Sequence, residues 1–211
     1  MKSKIICSIA ITHILLMASI FAQLPLTVDE VKKILPISNL EKIAESEGIK
    51  GRPLDVEAIR RILTRHENAL VVGDMSDASK FATIRDLCSR IEALPDRAQL
   101  GEDLFKLFKK LDVMEGEPKD WNEILIKGEE GSLGPITKCL LASSGEEMRS
   151  KILDYLLAED QLEKAKLFLK KATFAGEGEE MKKLVGAKMK AAKSDEMKEI
   201  LLHFTEQNPD E

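Results

Sequence analysis

The residues of this chain that could carry chemistry are few and scattered. Glycines at positions 128, 131 and 134 suggest a phosphate-cradling loop, because closely spaced backbone amides can wrap an anion. No Gly-Lys-Ser/Thr follows them, and Glu129 and Glu130 would repel phosphate. The stretch Gly176-Glu-Gly-Glu-Glu-Met lacks the third glycine of a dinucleotide fingerprint and has no strand before it. His66 and His203 have no second His or Cys at ligand spacing, and His66 reads as a helix-face residue. No Gly-x-Ser-x-Gly nucleophile elbow is present, although a Ser–His–Asp set assembled from distant positions stays open. Lys182, Lys183, Lys188, Lys190 and Lys193 form a run without acids. It suits an acidic partner or lipid headgroups on one reading, and a solvated face opposite Leu184, Val185 and Met189 on the other; helical spacing favours the second. No catalytic, cofactor, metal or partner-binding residue is assigned, and no cofactor is expected.

Composition narrows the class. The chain has 211 residues, 44% apolar and 33% charged, which fits a helix-rich globular domain and not a disordered chain. A formal charge of −5 offers no attraction for phosphates, and 4% aromatic content leaves little for base stacking, so nucleic acid is not an expected partner.

Residues 1–22 differ from everything after them. Lys2 and Lys4 are followed by an uncharged run from Ile5 to Phe21, closed by Ala22. That order matches a secretory signal peptide. Seventeen uncharged residues, with Ser8, Thr12, His13 and Ser19 among them, are marginal for spanning a hydrocarbon core of about 30 Å, which favours a cleaved signal over an anchor. Cleavage leaves 30 basic and 37 acidic side chains, a charge of −7, and no later stretch that could insert in a membrane. Cys7 departs with the signal. Cys88 and Cys139, both in apolar surroundings, read as buried thiols or, in an oxidising compartment, as one bridge. No Asn-x-Ser/Thr glycosylation acceptor occurs.

The mature chain repeats the helical period throughout. Thr27 with Glu30 and Ser38 with Glu41 are capping-box signatures, and Gly48 marks a stop. Asp55 caps a helix on which Val56, Ile59, Ile62, Leu63, His66 and Leu70 recur until Gly73. Asp74 or Ser76 opens a helix carrying Phe81, Ile84, Leu87, Cys88 and Ile91, ended by Pro95. Leu104, Phe105, Leu107 and Phe108 make a face too wide for one stripe, so that helix must be covered on two sides. A short helix is expected around Trp121, and another with Pro135 as its first residue. Ser144 with Glu147 signals the next start, and further apolar sets end at Phe204. The organisation expected is a signal peptide over 1–22, a helical lead-in over 23–52, an all-α domain over 53–205 and a polar tail over 206–211.

Two stretches carry a resemblance. Gly131-Ser-Leu-Gly-Pro-Ile-Thr-Lys-Cys-Leu-Leu, Ser143-Ser-Gly-Glu-Glu-Met-Arg and Ile152-Leu-Asp-Tyr-Leu-Leu together resemble an armadillo repeat. Lys80 to Cys88, Asp96 to Leu100 and Leu104 to Phe108 form a partial copy. Ile84 and Ile152 would correspond, yet they stand 68 residues apart where a strict array would use about 40 or a multiple. A signal peptide on a small, acidic, armadillo-like chain is similar to the Sil/Fes family, the nucleotide exchange factors of BiP-type chaperones. The segments that match are Ser79 to Leu87, Asp96 to Gly101 and Leu104 to Phe108, within residues 55–170. The chain departs from the family in reading Gly101-Glu where Gly-Gly is usual, and in ending Asn-Pro-Asp-Glu without a retention signal.

The resemblance implies an α-solenoid without catalytic activity in the lumen of the endoplasmic reticulum, gripping the nucleotide-binding domain of a BiP-type chaperone to support translocation and folding. The alternative from a different class is a secreted helical structural or effector protein. The first expectation concerns the address: the mature chain starts at Gln23 or Ser19. N-terminal sequencing of the protein expressed in a secretory host checks this, and an intact Met1 on a membrane-bound product would remove the lumenal reading.

Overall fold

A computed structural model describes residues 38–49, 53–71, 77–112, 130–176 and 178–206 of this chain, all within one compact unit. These residues are helical, with no strand among them. The elements are α1 (Leu40–Ser46), α2 (Val56–Arg65), α3 (Glu67–Val71), α4 (Asp77–Glu92), a 3₁₀ turn (Arg97–Leu100), α5 (Gly101–Lys110), α6 (Leu133–Ala142), α7 (Glu146–Ala158), α8 (Leu162–Phe174), α9 (Gly178–Lys188), a second 3₁₀ turn (Met189–Ala191) and α10 (Asp195–Glu206). The stretches expected to form a signal peptide, a capping box at Thr27, the boundary at Gly73–Ser76, a short helix around Trp121 and tail residues 207–211 lie outside the described residues.

Several boundaries follow the sequence signals. The Asp55 carboxylate accepts the Ala58 amide at 2.8 Å and starts α2. Gly48, at φ +73°, turns the chain out of α1, and the Ile49 amide reaches back to the Ala44 carbonyl at 3.0 Å. Other signals act differently. The Ser38/Glu41 pair does not close a capping box. The Ser38 hydroxyl donates to Asp86 on α4, Glu41 pairs with Arg90, and the Asn39 amide is satisfied by the buried hydroxyl of Thr83 at 2.9 Å. Ser144 does not cap α7 either, because its hydroxyl donates backwards to the Leu140 carbonyl at 2.5 Å and so finishes α6. α6 starts two residues ahead of Pro135, at Leu133, and the run from Val56 to Leu70 breaks at His66, whose ring is held by Glu47.

Packing centres on α6. Leu133, Ile136, Thr137, Cys139, Leu140 and Leu141 take up more than half of the circumference of this helix and all are buried, with Lys138 and Ala142 exposed on the remaining face. Several neighbours must therefore cover it. α4, α5 and α8 do so. α5 in turn touches α2, α3 and α7, and α8 touches α7, α9 and α10. Residues from Leu40 to Phe204 join one continuous apolar core.

The wide face of α5 is covered as the sequence requires. Leu104, Phe105, Leu107 and Phe108 are all buried, and the Phe105 ring meets Tyr155 edge-on at 5.6 Å. Beside them Lys164 is only 4% exposed. Its ammonium donates to the Phe108 and Lys109 carbonyls at 3.3 and 3.0 Å and sits over the Phe108 ring. Burial lowers the pKa of this amine below the ordinary lysine value. Truncating Phe105 or Phe108 to Ala is expected to cost about 3–5 kcal/mol. Urea denaturation measures this, and a loss below about 1 kcal/mol at both sites would mean the face is not core.

Candidate functional site

The residues singled out by type lie apart. His66 closes α2, with Nε2 at 2.9 Å from a Glu47 carboxylate oxygen, and Arg65 holds the other oxygen at 2.9 Å. The His66 hydrogen bond is the main cause holding the Glu47 carboxyl below its ordinary value. His203 lies at the other end of the chain, on α10. Cys88 and Cys139 face each other between α4 and α6 as free, buried thiols. The Cys139 thiol approaches the Cys88 carbonyl at 4.0 Å, and its contact with the Cys88 thiol, followed by burial, pushes the latter well above the thiol range. In the basic run, Lys182 pairs with Glu179, Lys188 with Asp154 at 2.5 Å, and Lys193 donates to the Ala158 carbonyl, while Val185 opposite is buried. Among the described residues no group of three His, Cys, Asp or Glu side chains is arranged to hold a metal ion, and no helix is long and apolar enough to cross a membrane.

The described part of the glycine-rich turn holds a carboxylate of its own. A Cβ on Gly134 would stand 2.7 Å from a Glu130 carboxylate oxygen, so the bare backbone there makes room for that side chain. Lys171 and Lys170, from α8, clamp the carboxylate at 2.5 and 3.2 Å. Burial alone would raise the pKa of Glu130, but the hydrogen bonds from Lys171 and Lys170 outweigh it and hold the group below the ordinary value near 4.5. The turn therefore joins α6 to α8 through an ion-pair cluster.

This clamp stands between two grooves. One, of about 400 Å³, lies at α4 and α6 and is lined by Phe81, Arg85, Glu92, Pro135, Lys138 and Lys171. There the Arg85 guanidinium lies 5.6 Å from the centre of the Phe81 ring, and Lys138 pairs with Glu92 at 3.1 Å. The second, of about 360 Å³, runs between α8 and α10 over Leu169, Ile200 and Phe204, with Lys166, Lys170 and His203 among its walls. Phe174 borders it at 78% exposure. Sequence reasoning did not gather these residues, because the grooves draw on segments far apart in the chain. The one available signal was Phe174 itself, a bulky residue just before the Ala175–Gly176 stop.

No family model matches this chain, and no curated protein or solved structure is similar to it.

The Glu130 clamp has a definite pH signature. Its folded pKa lies below the unfolded one, so its contribution to stability is complete above about pH 4.5 and is lost as the pH falls through the lower folded value. Glu130→Gln is expected to be less stable than the parent at neutral pH, with the gap closing below that point. Urea midpoints measured from pH 7 to pH 3 check this, and a gap that does not change with pH would show that no ionic clamp operates.

Proposed function

We propose that this chain works by binding another protein, as a nucleotide exchange factor for a BiP-type chaperone in the endoplasmic reticulum lumen. One observation carries the reading: the order of helix contacts. α2, α5, α7 and α9 touch in sequence, and so do α4, α6, α8 and α10, while α5 pairs with α6, α7 with α8, and α9 with α10. We read this as helical hairpins stacked in a solenoid, the architecture the armadillo resemblance implies. In that reading α4 and α7, which carry Ile84 and Ile152, belong to different runs of contacts, so those two residues do not hold equivalent places in the stack.

A stack of hairpins offers a long side surface instead of one deep pocket, and the row of α4, α6, α8 and α10 carries both grooves that flank Glu130. Such a surface suits an adaptor. Exchange needs only that the surface prefer the open arrangement of the chaperone's nucleotide-binding lobes over the closed one. A tenfold preference corresponds to about 1.4 kcal/mol, within the reach of a few side-chain contacts. ADP then leaves, ATP enters and the chaperone cycle restarts, without a reactive side chain on this protein. The signal-like leader and the acidic, armadillo-like character support the lumenal address.

The test is nucleotide release. Added to a BiP-type chaperone preloaded with fluorescent ADP, the mature protein is expected to accelerate release in stopped-flow measurements while consuming no nucleotide. If a folded, helical sample at concentrations well above the chaperone's gives no acceleration, the exchange reading fails and a secreted helical protein becomes the better account.

A further inference from the structure

The groove between α8 and α10 has a composition that selects its occupant. Its floor is apolar, made by Leu169, Ile200 and Phe204, and Phe174 stands open beside it. The titratable groups lining it are Lys166, Lys170 and His203, with no acid among the lining residues. Lys166 and Lys170 contact Glu163 and Glu130 and still keep about half of their side-chain surface in solvent, so each can take a second carboxylate. The volume of about 360 Å³ is at the low end for a ligand site and holds a few bulky side chains.

We infer that the α8/α10 groove is a docking site for an acidic amphipathic helix of a partner protein, which seats apolar side chains against Phe174, Ile200 and Phe204 and places carboxylates on Lys166 and Lys170. Helix-in-groove recognition needs an apolar trough and flanking charges of one sign, and both are present. A second copy of the chain could bring carboxylates on its own α10, but that helix buries Met197, Leu201 and Phe204 in its own core. It has no such apolar face to seat in the groove, which argues for a helix of a partner. It does not depend on the identity of the chaperone proposed above, since the groove occupies one end of the contact row and the inference stands if nucleotide release proves unaffected.

The probe is a fluorescein-labelled peptide of about 18 residues, long enough to be helical, with leucines at three- and four-residue spacing and glutamates elsewhere. Its counterpart carries lysines in place of the glutamates. Anisotropy titrations of the mature protein are expected to show binding of the glutamate peptide that weakens with salt, and at least tenfold weaker binding of the lysine peptide. Phe174→Ala and Lys166→Glu, both surface changes, are each expected to weaken the glutamate peptide about tenfold with unchanged circular dichroism, whereas Lys106→Glu on α5 leaves it unaltered. Equal binding of the two peptides, or no effect of either groove variant, overturns the inference. So does a dimer seen by sedimentation velocity and abolished by Phe174→Ala, which would make a second copy the occupant. Capture of the protein by phosphatidylserine vesicles with the same dependence on Phe174 would likewise replace the peptide by a lipid surface.

Discussion

Five helix ends among the described residues, those of α3 to α7, are met by cations from elsewhere in the chain, and the arrangement of these helices depends on it. The last carbonyls of an α-helix have no partner inside the helix, and they gather the negative end of its dipole. Lys164 reaches the end of α5, and Lys193 the end of α7. Arg97 donates to Ala142, which ends α6, and lies within 3.5 Å of the Glu92 and Leu94 carbonyls after α4. Lys80 approaches the Val71 carbonyl at the end of α3 at 3.5 Å. The contacts of Lys164 and Lys80 are buried or half-buried, those of Lys193 and of Arg97 with Ala142 are exposed, and each ties one element to another. Short helices of ten or so residues are weak by themselves, so these cross-links and the shared apolar core do the work that length cannot.

Lys164 shows how strong that requirement is. Burying an ammonium is costly, and the depressed pKa of this one records the cost. It is tolerated because two carbonyls and the Phe108 ring replace its water. A leucine in its place would pack as well against the core and leave the end of α5 unanswered. The same logic governs Thr83, which is fully buried yet accepts the Asn39 amide and donates to the Ser79 carbonyl at 2.6 Å. Thr137 and Ser144 enter this core in the same way, donating to the Leu133 and Leu140 carbonyls.

These tertiary roles explain which parts of the structure could be read from the sequence. Helix class, the Asp55 cap, the Gly48 stop and the double-sided burial of α5 all rest on neighbours in sequence, and each was legible there. The Ser38 and Ser144 signatures marked the right places, since α1 starts at Leu40 and α7 at Glu146, but not the contacts. The Ser38 hydroxyl accepts the Leu40 amide and donates to Asp86, and that of Ser144 donates back to the preceding turn. Lys164 sits in a run of alternating lysines and apolar residues, where nothing local separates it from exposed Lys166. The grooves were invisible for the same reason, being made where α4 meets α6 and where α8 meets α10. Glu130 over Gly134 is an intermediate case. The glycines were evident, but their purpose, to seat a carboxylate clamped from α8, belongs to the assembled fold.

The closure of helix ends also sets an order in time. A chain made from its N-terminus presents Arg97 soon after α4, so that helix can be finished almost at once. The oxygens that end α5 must wait for Lys164, 55 residues beyond Lys109, and those that end α7 wait for Lys193, 35 residues beyond Ala158. The end of α6, by contrast, finds Arg97 already present, 45 residues earlier. During synthesis, each of α5 and α7 therefore stays open at its C-terminus until a later segment has emerged. The growing domain remains unfinished at its leading edge, and its last turns become permanent only as the following helices arrive to close them.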